Sequence, residues 1–161
     1  MHKVQRPLHR DAVRLYAALS DLVRVYQFRD RDRICCHDIS VTQCYALDAL
    51  GRLGARTLNE LAGQLYLDKS TASRVVSTLE RKGYVTRQAH PADRRAVLID
   101  LTSTGRKLLA RIQDDLVEET RQLLADFEPA VREAAPRLLE RLARAAEQRL
   151  DHGACIPASI A

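Results

Sequence analysis

The stretch from Thr57 to Leu101 constrains this chain more than any other: TLNELAGQLYLDKSTASRVVSTLERKGYVTRQAHPADRRAVLIDL. Thr57 and Glu60 have the spacing of a capping box, and Leu58, Leu61, Ala62 and Leu65 follow at helical intervals. Tyr66-Leu67 reads as a turn, with Asp68 or Ser70 capping the next helix. That helix gathers Ala72, Val75, Val76 and Leu79 on one face. Gly83 suits a left-handed helix end. Tyr84 to Arg87 then reads as a strand, and Val97, Ile99 and Leu101 alternate as its partner. Two short helices, a tight turn and a two-stranded hairpin make a winged helix-turn-helix.

The polar face of the second helix differs from an ordinary solvated surface. Its first turns carry Lys69, Ser70, Thr71, Ser73 and Arg74, with no acidic residue after Asp68 until Glu80. Short hydroxyl side chains and a long cation near a helix N-terminus are what a helix in the DNA major groove needs. The helix N-terminus also attracts a phosphate. The hairpin tip carries Asp93, Arg94 and Arg95, with Arg87 near its base. Adjacent arginines on a narrow tip suit the electronegative minor groove, and Asp93 can hold one of them extended. A winged helix that binds protein instead of DNA is the alternative, and salt separates them, because phosphate contacts release counterions.

The run LNELAGQLYLDKSTASRVVSTLERKGYVTR, followed by PADRRAVLIDLTSTGRKLL, resembles the MarR family of bacterial transcription regulators. The wing pattern is met by Asp93 and Arg95, and its continuation by Leu101, Thr102 and Gly105. The resemblance spans roughly the whole chain. It implies a dimeric winged-helix repressor or activator whose DNA affinity answers to a small molecule, an oxidant or a metal.

A chain of 161 residues makes one domain by length. Aromatic residues are 4% of it, and Leu and Ala dominate the apolar set, which suits helix packed on helix. The expected class is therefore mostly α, an α+β winged helix flanked by long helices. Net charge is +5, unevenly spread: residues 68–107 carry nine Lys/Arg against four Asp/Glu, and 111–151 seven Arg against ten Asp/Glu. A basic centre beside an acidic C-terminal region argues for a local polyanion site.

Leu8, Ala12, Leu15, Leu19, Leu22 and Tyr26 alternate at spacings of four and three, a heptad stripe on one long helix. Ser40 and Gln43 open another helix, ended by Gly51 and Gly54. Thr102 caps a long helix to about Phe127, and Pro129 opens a further one, in which Pro136 should cause a kink or break. The expected organisation is a DNA-binding lobe at about 40–101, dimerisation helices at about 8–30 and 102–150, and an irregular tail at 151–161. A homodimer of this kind calls for double-stranded DNA with an inverted repeat, its half-sites about one helical turn apart.

Cys35, Cys36, His37 and Cys44 cluster, and Cys155 lies in the tail. Three roles compete. Cys44 fits a small apolar core position. Three thiolates with His37 or Cys155 suit a thiophilic metal or metalloid, although no CxxC is present. A thiol near a helix start and near Arg31 and Arg33 suits oxidation to sulfenic acid and then a disulfide. The resemblance adds a fourth route, an aromatic carboxylate or phenol bound near His9, Arg14, Tyr16, Tyr26 and Tyr45.

No Gly-rich phosphate loop, HExxH or GxSxG occurs. Cys35-Cys36-His37 is the only dense reactive group, and adjacent residues rarely converge on one substrate, so the chain reads as a binder, not an enzyme. No signal peptide or membrane-length apolar run appears, and the expected compartment is the cytoplasm.

Overall fold

The computed structural model describes residues 2–34, 37–91 and 96–150. They fall in two compact units, Met1–Asp115 and Leu116–Ala161.

The first unit begins with α1 (His2–Ile34), a single 33-residue helix longer than its heptad stripe. Ile34, at the end of this helix, and Ile39, just before the next, are both buried. In α2 (Val41–Leu53) the capping box forms as read: Ser40 Oγ accepts from Gln43 N–H, and Gln43 Oε1 accepts from Ser40 N–H. Gly51 does not end this helix; Gly54 does, at φ 76°. A Cβ on Gly51 would stand 2.6 Å from Leu109 Cδ2, so the small residue admits a neighbouring helix.

A two-residue strand β1 (Arg56–Thr57) precedes α3 (Leu58–Gln64). It is too short to show alternation and was invisible to the pattern. Tyr66 takes a left-handed turn at φ 53°, leading into α4 (Lys69–Arg81). Gly83, at φ 75°, reverses the chain, with Tyr84 N–H donating to Leu79 O. Strands β2 (Val85–Ala89) and β3 (Val97–Leu101) pair antiparallel from Val85↔Leu101 to Ala89↔Val97. β3 also takes β1, giving the order β1-β3-β2. Leu47, Leu50, Leu61, Val76, Leu79 and Ile99 fill the core between α2, α3, α4 and this sheet, each at most 2% exposed.

Thr102 joins sheet to α5 (Ser103–Leu123). Its hydroxyl donates to Gly83 O at 2.6 Å and accepts from Gly105 N–H at 3.0 Å. A Cβ on Gly105 would lie 2.0 Å from the Tyr84 carbonyl oxygen, so only glycine fits there. Leu108, Leu109 and Ile112 bury this half of α5.

The second unit holds the end of α5, a turn at 124–126 and α6 (Pro129–Leu150). Arg121 grips Glu118 through two nitrogens at 2.6 and 2.7 Å. Those bonds, with one from Gln122, hold the Glu118 carboxyl down at about 2. Helix α6 continues through Pro136, so the helix is not broken at that residue. The carbonyl that proline leaves unbonded belongs to Arg132, an exposed residue that water can serve. Among the described residues of this unit none is buried.

Candidate nucleic-acid interface

Helix α4 divides cleanly into two faces. Ala72, Val76 and Leu79 are at most 1% exposed, while Lys69, Ser70, Arg74, Ser77 and Arg81 are exposed. Apolar burial on one side fixes the rotation of the helix and so decides which side chains face outward.

Asp68, not Ser70, is the N-cap. Its carboxylate accepts from Thr71 N–H at 2.9 Å, from the Ser70 hydroxyl at 2.5 Å and from the Thr71 hydroxyl at 2.7 Å. These bonds, Ser70's first, hold the Asp68 carboxyl well below the usual carboxylate range. A negative group therefore occupies the helix N-terminus, where the sequence suggested attraction of a phosphate. The dipole is already complemented and a terminal donor already bonded.

From Thr71 a ladder runs down the outer face. Arg74 Nη2 donates to Thr71 Oγ1 at 3.2 Å, Thr78 Oγ1 donates to Arg74 O at 3.0 Å, and Arg81 Nη2 donates to Thr78 Oγ1 at 3.3 Å. Thr78 and Arg81 extend the polar stripe by two turns beyond the residues singled out from sequence. The signal was available, since 71, 74, 78 and 81 keep helical spacing of three and four.

Ser73 is half-buried and faces β2 and β3, lining a small crevice with Leu58, Arg87, Val97 and Ile99. Arg87 turns back from the wing onto α4: its Nη2 donates to Ser77 Oγ at 3.1 Å and its Nε lies 3.4 Å from Glu80. It braces β2 against α4. Asp93, Arg94 and Arg95 lie outside the described residues.

The far end of α4 is tied to the corner between α1 and α2. Lys82 Nζ donates to the Asp38 carbonyl oxygen and lies 3.3 Å from the Asp38 carboxylate. Asp38 takes φ 58°. His37, half-buried beside it, places Nε2 3.5 Å from the Asp115 carboxylate on α5. Cys44 sits in the core of α2, 5% exposed. Cys35, Cys36 and Cys155 lie outside the described residues, as does the tail at 151–161. No group of three metal-ligating side chains forms among the described residues. A groove on α1 takes in Tyr16, but not His9, Arg14, Tyr26 or Tyr45. No helix among the described residues is long and apolar enough to cross a membrane.

This geometry agrees with what the chain is similar to. The MarR family profile matches residues 37–96. A helix-turn-helix transcriptional regulator of Mycobacterium leprae is 32% identical over 130 residues, 78% of this chain and 88% of the relative. The organic hydroperoxide resistance transcriptional regulator of Bacillus subtilis is 31% identical over 100 residues, 62% of this chain and 65% of its own. A solved MarR transcriptional regulator from Methanosarcina mazei superposes with a TM-score of 0.73 at 28% identity, covering 83% of this chain and 96% of that one.

Proposed function

The chain belongs to the MarR family of transcription regulators, and we propose that it acts in the cytoplasm as a homodimeric repressor on an inverted-repeat operator. The observation that carries this reading is the outer face of α4. Thr71, Arg74, Thr78 and Arg81 form one hydrogen-bonded polar stripe on a helix whose opposite face is locked in the core. Such a stripe enters a major groove without rearranging. Ser70 and Thr71 face the bases, and Lys69 and Arg74 face the bases and nearby phosphates. The wing, with Asp93, Arg94 and Arg95 at its tip, follows the adjacent minor groove.

The dimer is supported by α1 itself. Leu8, Leu15 and Leu22 of its heptad stripe are 69%, 40% and 42% exposed on a single chain. A stripe of that length is covered by a second copy.

The releasing signal enters at Cys35, Cys36 and His37, as an oxidant or a thiophilic metal. The Lys82–Asp38 tie supports this, because it links Asp38, the residue after His37 in sequence, to the end of α4. The name of the Bacillus subtilis hydroperoxide regulator favours the oxidant first. Cys44, packed in α2, is a core residue in this scheme.

The test is fluorescence anisotropy on DNA upstream of the protein's own gene, reduced and then after peroxide or a thiophilic metal. Binding is expected to fall steeply with salt and to be lost on thiol modification. Arg74→Ala is expected to cost about 1–3 kcal/mol of specific binding. A flat salt response would point to a protein partner for the winged helix. Binding indifferent to both treatments would send the search for the signal to organic ligands.

A further inference from the structure

We propose that Asp68 sets the base preference of α4 by fixing the direction of two hydroxyl protons. The inference rests on the reading of α4 as the groove-reading helix. An ionised carboxylate only accepts hydrogen bonds. The Ser70 and Thr71 hydroxyls, 2.5 and 2.7 Å from it, must both donate to Asp68. Contacts this short are charge-assisted, and they keep the Asp68 carboxyl ionised at neutral pH.

A hydroxyl carries one hydrogen. With that hydrogen committed, Ser70 and Thr71 present lone pairs alone. Thr71 already shows this polarity, since its oxygen accepts from Arg74 Nη2 at 3.2 Å. The chain from carboxylate through hydroxyl to guanidinium therefore runs in one direction. Ser70 is exposed and Thr71 half-buried, so both remain within reach of a ligand.

The consequence for DNA is chemical. In the major groove the amino donors are adenine N6 and cytosine N4, while guanine O6 and N7 and thymine O4 are acceptors. Phosphate oxygens are acceptors too. Ser70 and Thr71 thus favour an adenine or cytosine edge and refuse guanine, thymine and phosphate. The carboxylate beside them repels a phosphate further. Arg74 is donor-only and takes the opposite preference, a guanine or a phosphate. Asp68 touches no base in this scheme; it is a positioning residue.

The experiment is selection from a randomised duplex pool with the wild-type protein, Asp68→Asn and Arg74→Ala, alongside thermal unfolding. Asparagine keeps one oxygen for the Thr71 N–H, so the cap survives. Its amide nitrogen donates where the second carboxylate oxygen accepted, and one hydroxyl is released to donate outward. We expect Asp68→Asn to accept guanine or thymine where the wild type selects adenine or cytosine. Discrimination at that position should fall by about fivefold or more. Affinity for random duplex should rise, because a negative charge is gone. Asp68→Ser, a shorter uncharged cap, should relax the same position, and it serves if Asp68→Asn folds poorly.

An unchanged preference in both Asp68 variants, with Arg74→Ala altered, reduces Asp68 to a helix cap and overturns the proposal alone. An unchanged selection in all three variants means that α4 reads no bases, and both readings fall. A wild type that selects guanine or thymine opposite Ser70 and Thr71 also overturns it.

Discussion

Helices α4 and α1 both carry apolar stripes at helical spacing, and the two stripes end differently. In α4, Ala72, Val76 and Leu79 vanish into a core shared with α2, α3 and the sheet. In α1, Leu8, Leu15 and Leu22 are 40–69% exposed. The spacing says that something covers a stripe; it does not say what. In α4 the cover is the chain itself, so the outer face is held rigid before any DNA arrives. In α1 the stripe stays exposed on the single chain, and the proposed dimer would cover it.

The comparison breaks first in the α4 core. Leu79→Ala should cost about 2–5 kcal/mol in urea unfolding, because the surrounding side chains cannot collapse fully into the space. A loss under about 1 kcal/mol would mean that the α4 face is loosely held. On the α1 side, Leu15→Glu with Leu22→Glu should change the stability of a single chain by no more than about 0.5 kcal/mol per site, as exposed positions do. The same double variant should shift sedimentation from dimer to monomer and weaken operator binding by about 100-fold through lost avidity. A dimer that survives would assign the stripe another cover.

Two smaller effects sharpen the contrast. Lys82→Met removes the tie from α4 to Asp38, a partly exposed ion pair worth about 0–1 kcal/mol. Stability should barely move, but release of DNA by oxidant should become weaker if the tie carries the signal. The smallest effect is in acid. Asp68 titrates lower in the folded chain than in the unfolded one. Its contribution is therefore fully present above the ordinary aspartate pKa and is lost as pH falls through that value towards the folded one. Asp68→Asn should flatten this part of the stability profile between about pH 5 and 2, read by thermal midpoints across that range.

The caps at Ser40 and Thr57, the left-handed Gly83 and the hairpin were all legible, because each is settled within a few residues of chain. Strand β1 was not, since two residues carry no period. The reach of the polar stripe to Thr78 and Arg81 was legible and overlooked. Pro136 does not break α6, because the cost of a proline in a helix depends on whether the orphaned carbonyl is exposed. The linear pattern put Arg87 among the DNA contacts of the wing, whereas in the structure it turns onto α4. Its Ser77 and Glu80 partners come within reach only once β2 crosses beside the helix.

Sequence alone determined what short-range bonding can determine: where helices start and stop, which faces are apolar, and which family the chain resembles. Tertiary structure decided what depends on packing angle. It brought Lys82 to Asp38, 44 residues earlier, aimed Arg87 at Glu80, and left the α1 stripe uncovered. The reason is physical. A capping bond spans three residues and is fixed by local dihedral angles. A contact across 44 residues exists only after the core has set the orientation of every element between.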